Sequence, residues 1–419
     1  MKTFTCTLVT LFLTLTLPLP AADLSLDVRQ ITSGPNHHFF GYIGHVQNIP
    51  WNKSERYILT LRSTFQDRMP GPNDPADILL LDTHNNFSSR VLDQTRAWNP
   101  QQGTMLYWNP DAQETQFFFN DRDPKTRKIF TVLFDIAANK RVKEYRYDDT
   151  PVANAGVSQT GGSFTAINYA RMALLRPVTG YKDATDWTTG MAHPADDGIF
   201  KIDIHTGAKT LLVSFDQLAK TIKQLYPPLD IPPLFINHTL WNREGDGIFF
   251  FARAGWEDGH KGTRINQPFL IHPNGTHLTP TQFLGGHPEW DFGRRMIGRA
   301  GKRQVLFDTD RQLVIGQLGT QEIFPDPEGD VSLSPDGKWF VNGFRVSKEK
   351  QNYYAIYRRT DGAHIRSQGF NIGQWGSGDL RLDPAPTWSR SNTQLLVPGL
   401  AENHTRQLFL ITIHTKPEH

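Results

Sequence analysis

One phrase recurs along this chain: an extended approach usually ending in Trp, a polar turn of Asn, Asp, Ser and Gly, then an apolar strand. It reads Trp51-Asn-Lys-Ser, Trp108-Asn-Pro-Asp, Val157-Ser-Gln-Thr-Gly, Trp241-Asn-Arg-Glu-Gly, Trp290-Asp-Phe-Gly, Leu333-Ser-Pro-Asp-Gly and Trp388-Ser-Arg-Ser-Asn. A repeated supersecondary unit cannot bury its apolar faces alone, so seven copies imply seven stacked units. Strands are expected next at Tyr57 to Leu61, Gln116 to Phe119, Ser163 to Asn168, Gly247 to Ala252, Gln304 to Phe307, Trp339 to Gly343 and Gln394 to Val397. The pattern predicts an all-β fold, a seven-bladed β-propeller. A β-sandwich or β-helix offers no reason for the repeated Trp and turn. The last repeat, Pro386 to Ile413, is short by one strand, and Leu24 to Thr32 is a strand without a repeat. The ring is therefore expected to close by pairing of the N- and C-terminal strands, which removes exposed edges. Without about 22 leader residues, roughly 397 remain, ~57 per repeat against ~40–45 for a compact blade. The surplus belongs in loops.

Composition narrows the function. The 44 Lys and Arg, set against 42 Asp and Glu, form no basic run, which argues against nucleic acid as the main partner, since phosphate-driven binding needs clustered cations. Lys2, an apolar run from Cys6 to about Leu17, Pro18 to Pro20 and then Ala21 and Ala22 read as a signal peptide over 1–22, followed by one propeller domain over 23–419. The expected product is exported, periplasmic or extracellular. No later apolar stretch approaches the ~18 residues of a membrane span, so no membrane contact is expected after cleavage. Cys6 is the only cysteine, so stability must come from the core rather than from disulfides. A monomer is expected. No G-x-S-x-G elbow, H-E-x-x-H motif or P-loop is present, and no residues remain for a second catalytic domain. Chemistry, if any, belongs to the propeller itself.

Candidate site residues follow from phase. Three positions before each anchor residue stand Asn48, Met105, Asn154, His238, His287, Asp330 and Ala385. His, His and Asp thus occupy equivalent places on three consecutive blades, where they can hold a metal or serve as a base beside an electrostatic stabiliser. The plainer reading is strand-bridging hydrogen bonds. Arginine recurs where the second strand ends on the same face, at Arg62, Arg122, Arg171, Arg253 and Arg345. Such guanidiniums suit carboxylate or sulfate, although solvated surface is the bland alternative. Arg171 opens a long loop to Asp197 that carries Tyr181, Trp187 and His193, and the matching loop in blade four holds Trp256 and His260. His45 and Gln102 lie six before Trp51 and Trp108, and Asn99 lies close by. These are read as facing substrate.

The phrases Gly44-His45-Val-Gln-Asn-Ile-Pro-Trp51, Ala97-Trp-Asn-Pro-Gln-Gln-Gly103, Arg176-Pro177, Asp196-Asp-Gly-Ile-Phe200, His238-x-x-Trp241 and Gly286-His-Pro-Glu-Trp290 resemble those of oligogalacturonate-lyase-like propeller proteins. More broadly the chain is similar to seven-bladed polysaccharide lyases that include ulvan and rhamnose-glucuronate lyases. The resemblance implies a divalent metal near the axis, held by histidines and a glutamine, with a further histidine as base. It places His238 on the base and His287 on a metal ligand. Two later blades depart from the pattern, with Asp330 and with Asp383-Pro-Ala385 where the family has histidines. One divalent cation, Ca or Mn, at His287 and Asp330 remains one alternative and a metal-free lyase the other; no organic cofactor is expected.

The function expected from these readings is a secreted lyase that cleaves a uronate-containing polysaccharide or oligosaccharide by β-elimination. That reaction needs a cation at the carboxylate, a base at C5 and an acid for the leaving oxygen. Arg171 is assigned to the carboxylate, His45 or His238 to the base, and Tyr181 to the acid. Arg62, Asn99, Gln102, Arg253, His193 and Trp256 are assigned to substrate binding. The alternatives are a non-catalytic glycan-binding or scaffold propeller and, behind it, a glycoside hydrolase, which needs two facing carboxylates.

Overall fold

Each phrase starts an antiparallel meander, and the meanders follow one another around a ring. The computed structural model describes residues 23–41, 48–281 and 284–416; the leader and His45 lie outside them. Seven sheets form, six of them successive in the chain. The seventh combines Thr387–Trp388, Gln394–Leu400 and Arg406–Thr415 with Leu24–Gln30 as its outer strand. Leu24 to Gln30 pair antiparallel with Thr415 to Phe409, so the chain ends close the seven-bladed ring as expected.

The recurring Trp has a physical role. Trp108 Nε1 donates to Pro50 O at 2.7 Å, Trp241 to Gly156 O at 3.0 Å, Trp290 to Leu240 O at 2.8 Å and Trp388 to Ser332 O at 3.1 Å. Each indole thus fills the space between two blades and bonds the inner strand of the blade before it. The turn after it is held by Asx-type bonds, as where Asn242 Oδ1 accepts from Asp246 N and Gly247 N, both at 2.9 Å.

Middle strands read as continuous apolar runs because both their faces are covered by neighbouring blades. In Gln116–Arg122, Phe118 packs on Phe164 of blade three, with ring centroids 5.6 Å apart, while Phe117 packs on Trp108 on its other side, 5.9 Å away. Strand alternation sends successive residues to opposite neighbours. All of Ile248–Ala254 is buried for the same reason.

Three details differ from expectation. In blade five the strand after the turn is Arg295–Ala300, and Gln304 lies in the next one, Arg303–Asp308. The innermost layer of blade one is split, with His37–Phe39 and Trp51 pairing with different parts of Tyr57–Ser63. The segment after Asn168 opens as a helix rather than a loop, α1 (Tyr169–Leu175), with Asn168 Oδ1 accepting from Arg171 N as its cap. A second helix, α2 (Phe215–Leu225), starts in a capping box between Ser214 and Gln217.

Candidate active site at the axial mouth

Inner strands begin on one face of the ring, and residues at or near their starts in blades one and four to seven, with Gln101 to Gly103 of blade two, line a pocket there. His238, His287, Asp330 and Ala385, four of the seven phase-equivalent positions, line it. The others do not, because Asn48 and Asn154 donate to Leu106 O and Met105 O and bridge strands. The two readings of this position are therefore both realised, on different blades.

His238 owes its direction to a bulge. The pairing of Phe235–Trp241 slips between Asn237 and Leu240, His238 has φ of 60°, and it alone in that strand is not buried. A left-handed non-glycine residue costs ~1–3 kcal/mol, and such bulges re-aim one side chain without ending the strand. A second slip, between Gly285 and Glu289, frames His287. The rings of His238 and His287 stand perpendicular with centroids 6.2 Å apart. His287 Nδ1 lies 2.7 Å from Asp330 Oδ1, and the imidazole is 37% exposed while the carboxylate is buried. Burial pulls the imidazole pKa down, but the Asp330 carboxylate more than offsets it and the net shift is upward.

Glycine brings the next approaches close. A Cβ on Gly329 would lie 1.8 Å from Gly343 O, and one on Gly343 1.8 Å from Pro384 O. Only bare backbones fit there, and they carry Asp330 and Asp383 to the axis. Burial, then the facing Asp330, pushes the Asp383 carboxyl up against the pull of Arg381, His287 and Arg345.

Arginines form the remaining wall. Arg176, Arg253, Arg381 and Arg406 line the pocket. Arg381 pairs with Asp383 at 2.9 Å. Among the described residues Arg176, Arg253 and Arg406 have no ion pair with a carboxylate. Burial pulls their guanidinium pKa values down to about 10, 9 and 10. Arg176 Nε and Nη1 are buried without a hydrogen-bond partner, and so is Arg406 Nε. Arg253 Nε donates to Asn266 Oδ1 and Arg406 Nη2 to Leu380 O, and all three guanidiniums rest on aromatic rings: Arg176 and Arg253 on Trp256, Arg406 on Phe39 and Trp375. His38, also in the wall, bonds Gln407 at 2.9 Å, and burial lowers its pKa to about 4, so it is neutral near pH 7.

Several expected site residues lie elsewhere. Arg171 does not line the pocket: its guanidinium donates to Leu234 O, Met191 O, Ala192 O and Thr188 Oγ1, tying the segment after α1 to blade four. We predict that Arg171→Met lowers the unfolding free energy by about 3 kcal/mol in denaturant titration, because four buried acceptors lose a charged donor. Tyr181 is fully buried, stacks on Tyr169 at 4.5 Å and accepts from Asn120 Nδ2, so it cannot reach a substrate. Burial pushes its phenol well up.

Arg62 is paired with Asp77 at 2.7 Å, and Arg122 and Arg345 donate to backbone carbonyls of neighbouring loops. Of the five phased arginines only Arg253 lines the pocket. Asn99 is buried and shapes the approach to blade two, accepting from Gln101 N and Gln102 N. Gln102 lines the pocket and donates to Asn237 Oδ1 at 3.2 Å. His193 bonds Pro232 O away from the axis, and Trp256 stands behind the arginines. The phase argument missed Arg176, Arg381 and Arg406, which sit in connecting loops or, for Arg406, at the start of the third strand of its blade, with no repeating position to mark them.

The described residues do not suit a metal ion. His287 and Asp330 are bonded to each other, arginines surround them, and no group of three or more His, Cys, Asp or Glu converges among the described residues. The donor set presents positive charge where a cation would sit.

No protein-family model and no curated protein matches this chain. Solved structures do. TolB from Acinetobacter baumannii is similar over 72% of this chain and 62% of its own, at 12% identity and TM-score 0.37. The Cps50 (Swd1) β-propeller domain from Myceliophteria thermophila is similar over 88% and 96%, at 12% identity and TM-score 0.47. A prolyl endopeptidase, from a study of inter-domain dynamics in catalysis and specificity, is similar over 90% of this chain, at 10% identity and TM-score 0.52. The chain spans 62% of TolB and 52% of the endopeptidase. These likenesses concern the propeller fold alone.

Proposed function

We propose that this protein is an exported polysaccharide lyase that cleaves a uronate-containing glycan by β-elimination at the axial mouth. The observation that carries the reading is the group of three guanidiniums, those of Arg253 and Arg406 buried and that of Arg176 largely so, that have no ion pair among the described residues and share the pocket with His238 and the His287–Asp330 pair. Buried cations need a counter-charge, and a sugar carboxylate entering the pocket supplies it in bidentate form. The partner class is thus an acidic polysaccharide or oligosaccharide.

The chemistry then uses groups already in place. Arg253 and Arg176 neutralise the carboxylate, which acidifies the proton at C5. His238 takes that proton, the electron pair forms the C4–C5 double bond, and the C4–O bond breaks. His287, whose pKa the Asp330 carboxylate holds above the ordinary value, gives its proton to the departing oxygen. No step needs the metal considered from sequence, and Tyr181 is replaced as acid by His287.

Purified mature protein mixed with polygalacturonate, ulvan, gum arabic and glucuronan is expected to raise ultraviolet absorbance from the conjugated uronate on one of them. Saturable binding with no rise anywhere would favour the glycan-binding reading. The same assay tests the acid: the rate falls on the alkaline side as His287 loses its proton, above the ordinary value of 6.5. Asp330→Asn removes the carboxylate that holds this pKa up and leaves burial, which lowers it. The alkaline limb is expected to move to lower pH, and an unchanged limb would remove His287 from the acid role.

A further inference from the structure

We propose a second glycan subsite, a groove on the same face as the axial pocket, that holds the sugars of the acidic chain beyond those at the reacting centre. The proposal rests on the glycan reading above, and adds where the rest of the chain lies.

The groove lies open between the end of α2 and the start of the strand Ile265–Ile271. Leu225, Tyr226 and Pro227 form one wall and Arg264, Asn266 and Gln267 the other. Tyr226 is 50% exposed and Leu225 44%, and the Tyr226 hydroxyl donates to Gln267 Oε1 at 3.3 Å. An exposed ring held in place beside a proline offers a flat apolar platform to the C–H face of a sugar. The opposite wall offers amides and a guanidinium to hydroxyls and a carboxylate.

Continuity with the axial pocket argues for the same chain as occupant. Arg253 lines the pocket and Asn266 the groove; they are cross-strand partners, and Arg253 Nε donates to Asn266 Oδ1 at 2.7 Å. Trp256 packs against Arg253 and Arg176 from the pocket and against Arg264 from the groove, at 5.5, 4.7 and 5.0 Å. The two sites share one wall, built by blade four and its loop. A polyanion leaving the pocket across that wall meets Arg264 next, then Tyr226.

The test uses isothermal titration of wild type and Tyr226→Ala with oligouronates from dimer to octamer. Wild-type affinity is expected to rise with length by about tenfold, equivalent to ~1.4 kcal/mol, and to stay flat in Tyr226→Ala, while dimer binding is the same in both. Thermal melting of the variant is expected at the wild-type temperature, since Tyr226 is half exposed. The same length dependence in both proteins, or none in wild type, overturns the groove. Turnover is read separately by absorbance: length-dependent binding that Tyr226→Ala abolishes upholds the groove even if no substrate is cleaved, in which case the lyase reading alone falls.

Discussion

Replacement of His238 by asparagine is expected to lower kcat by ~10²–10⁴ on the uronate substrate, with KM nearly unchanged and the melting temperature retained. Asparagine is the informative choice because position 238 has φ of 60°, which asparagine tolerates better than most side chains. It keeps the bulge and removes only the imidazole. Steady-state kinetics by absorbance, beside a thermal melt, decide the matter. A variant with full turnover would exclude His238 as the base, and one that fails to fold would show the bulge itself to be structural; His238→Gln then serves as the second probe. His45, the other base considered from sequence, lies outside the described residues, and His45→Asn measured in parallel separates the two.

Arg253→Gln is expected to cost ~10²–10³ in kcat/KM, the scale of removing one preorganised donor from developing charge. Arg253→Lys should restore only part of it, because an ammonium lacks the planar fork that matches a carboxylate. The stability outcome distinguishes function from architecture. Burial drags this guanidinium down to about 9, and no carboxylate among the described residues balances it. Its charge therefore burdens the ligand-free fold, and Arg253→Gln should melt at or above the wild-type temperature while losing activity. Arg171→Met should do the reverse, losing stability through its carbonyl contacts. A cooler melt for Arg253→Gln with activity intact would make it one more structural arginine.

The contrast between these two arginines shows where sequence reading stops. Both stand at or just after the end of a second strand on the same face, Arg171 fourteen residues after Val157 and Arg253 twelve after Trp241. Arg171 is drawn outward because α1 forms and turns its guanidinium toward Leu234 O, Met191 O and Ala192 O. Arg253 stays on an unbroken strand, and its cross-strand Asn266 and the Trp256 ring leave its outer nitrogens at the pocket. The small difference in spacing does not say which guanidinium will face the axis. Tyr181 fails similarly: its loop context suggested exposure, yet Tyr169 and Asn120 enclose it.

What could be read from the chain alone was whatever repeats. The Trp and turn phrase returns with fixed phase because every blade must fill the same wedge and bond the blade before it, so blade number, ring closure and the meeting of His238, His287 and Asp330 on one face followed from counting. Tertiary structure decided what does not repeat. The bulge at His238, the bond that takes His287 to Asp330, and the arrival of Arg176 from a loop and Arg406 from the start of a strand depend on distances across the ring between residues far apart in sequence. Local spacing constrains neighbours along a strand. It carries no information on which guanidiniums find carbonyl partners and which are left facing the axis, because that is settled only when seven blades close on one another.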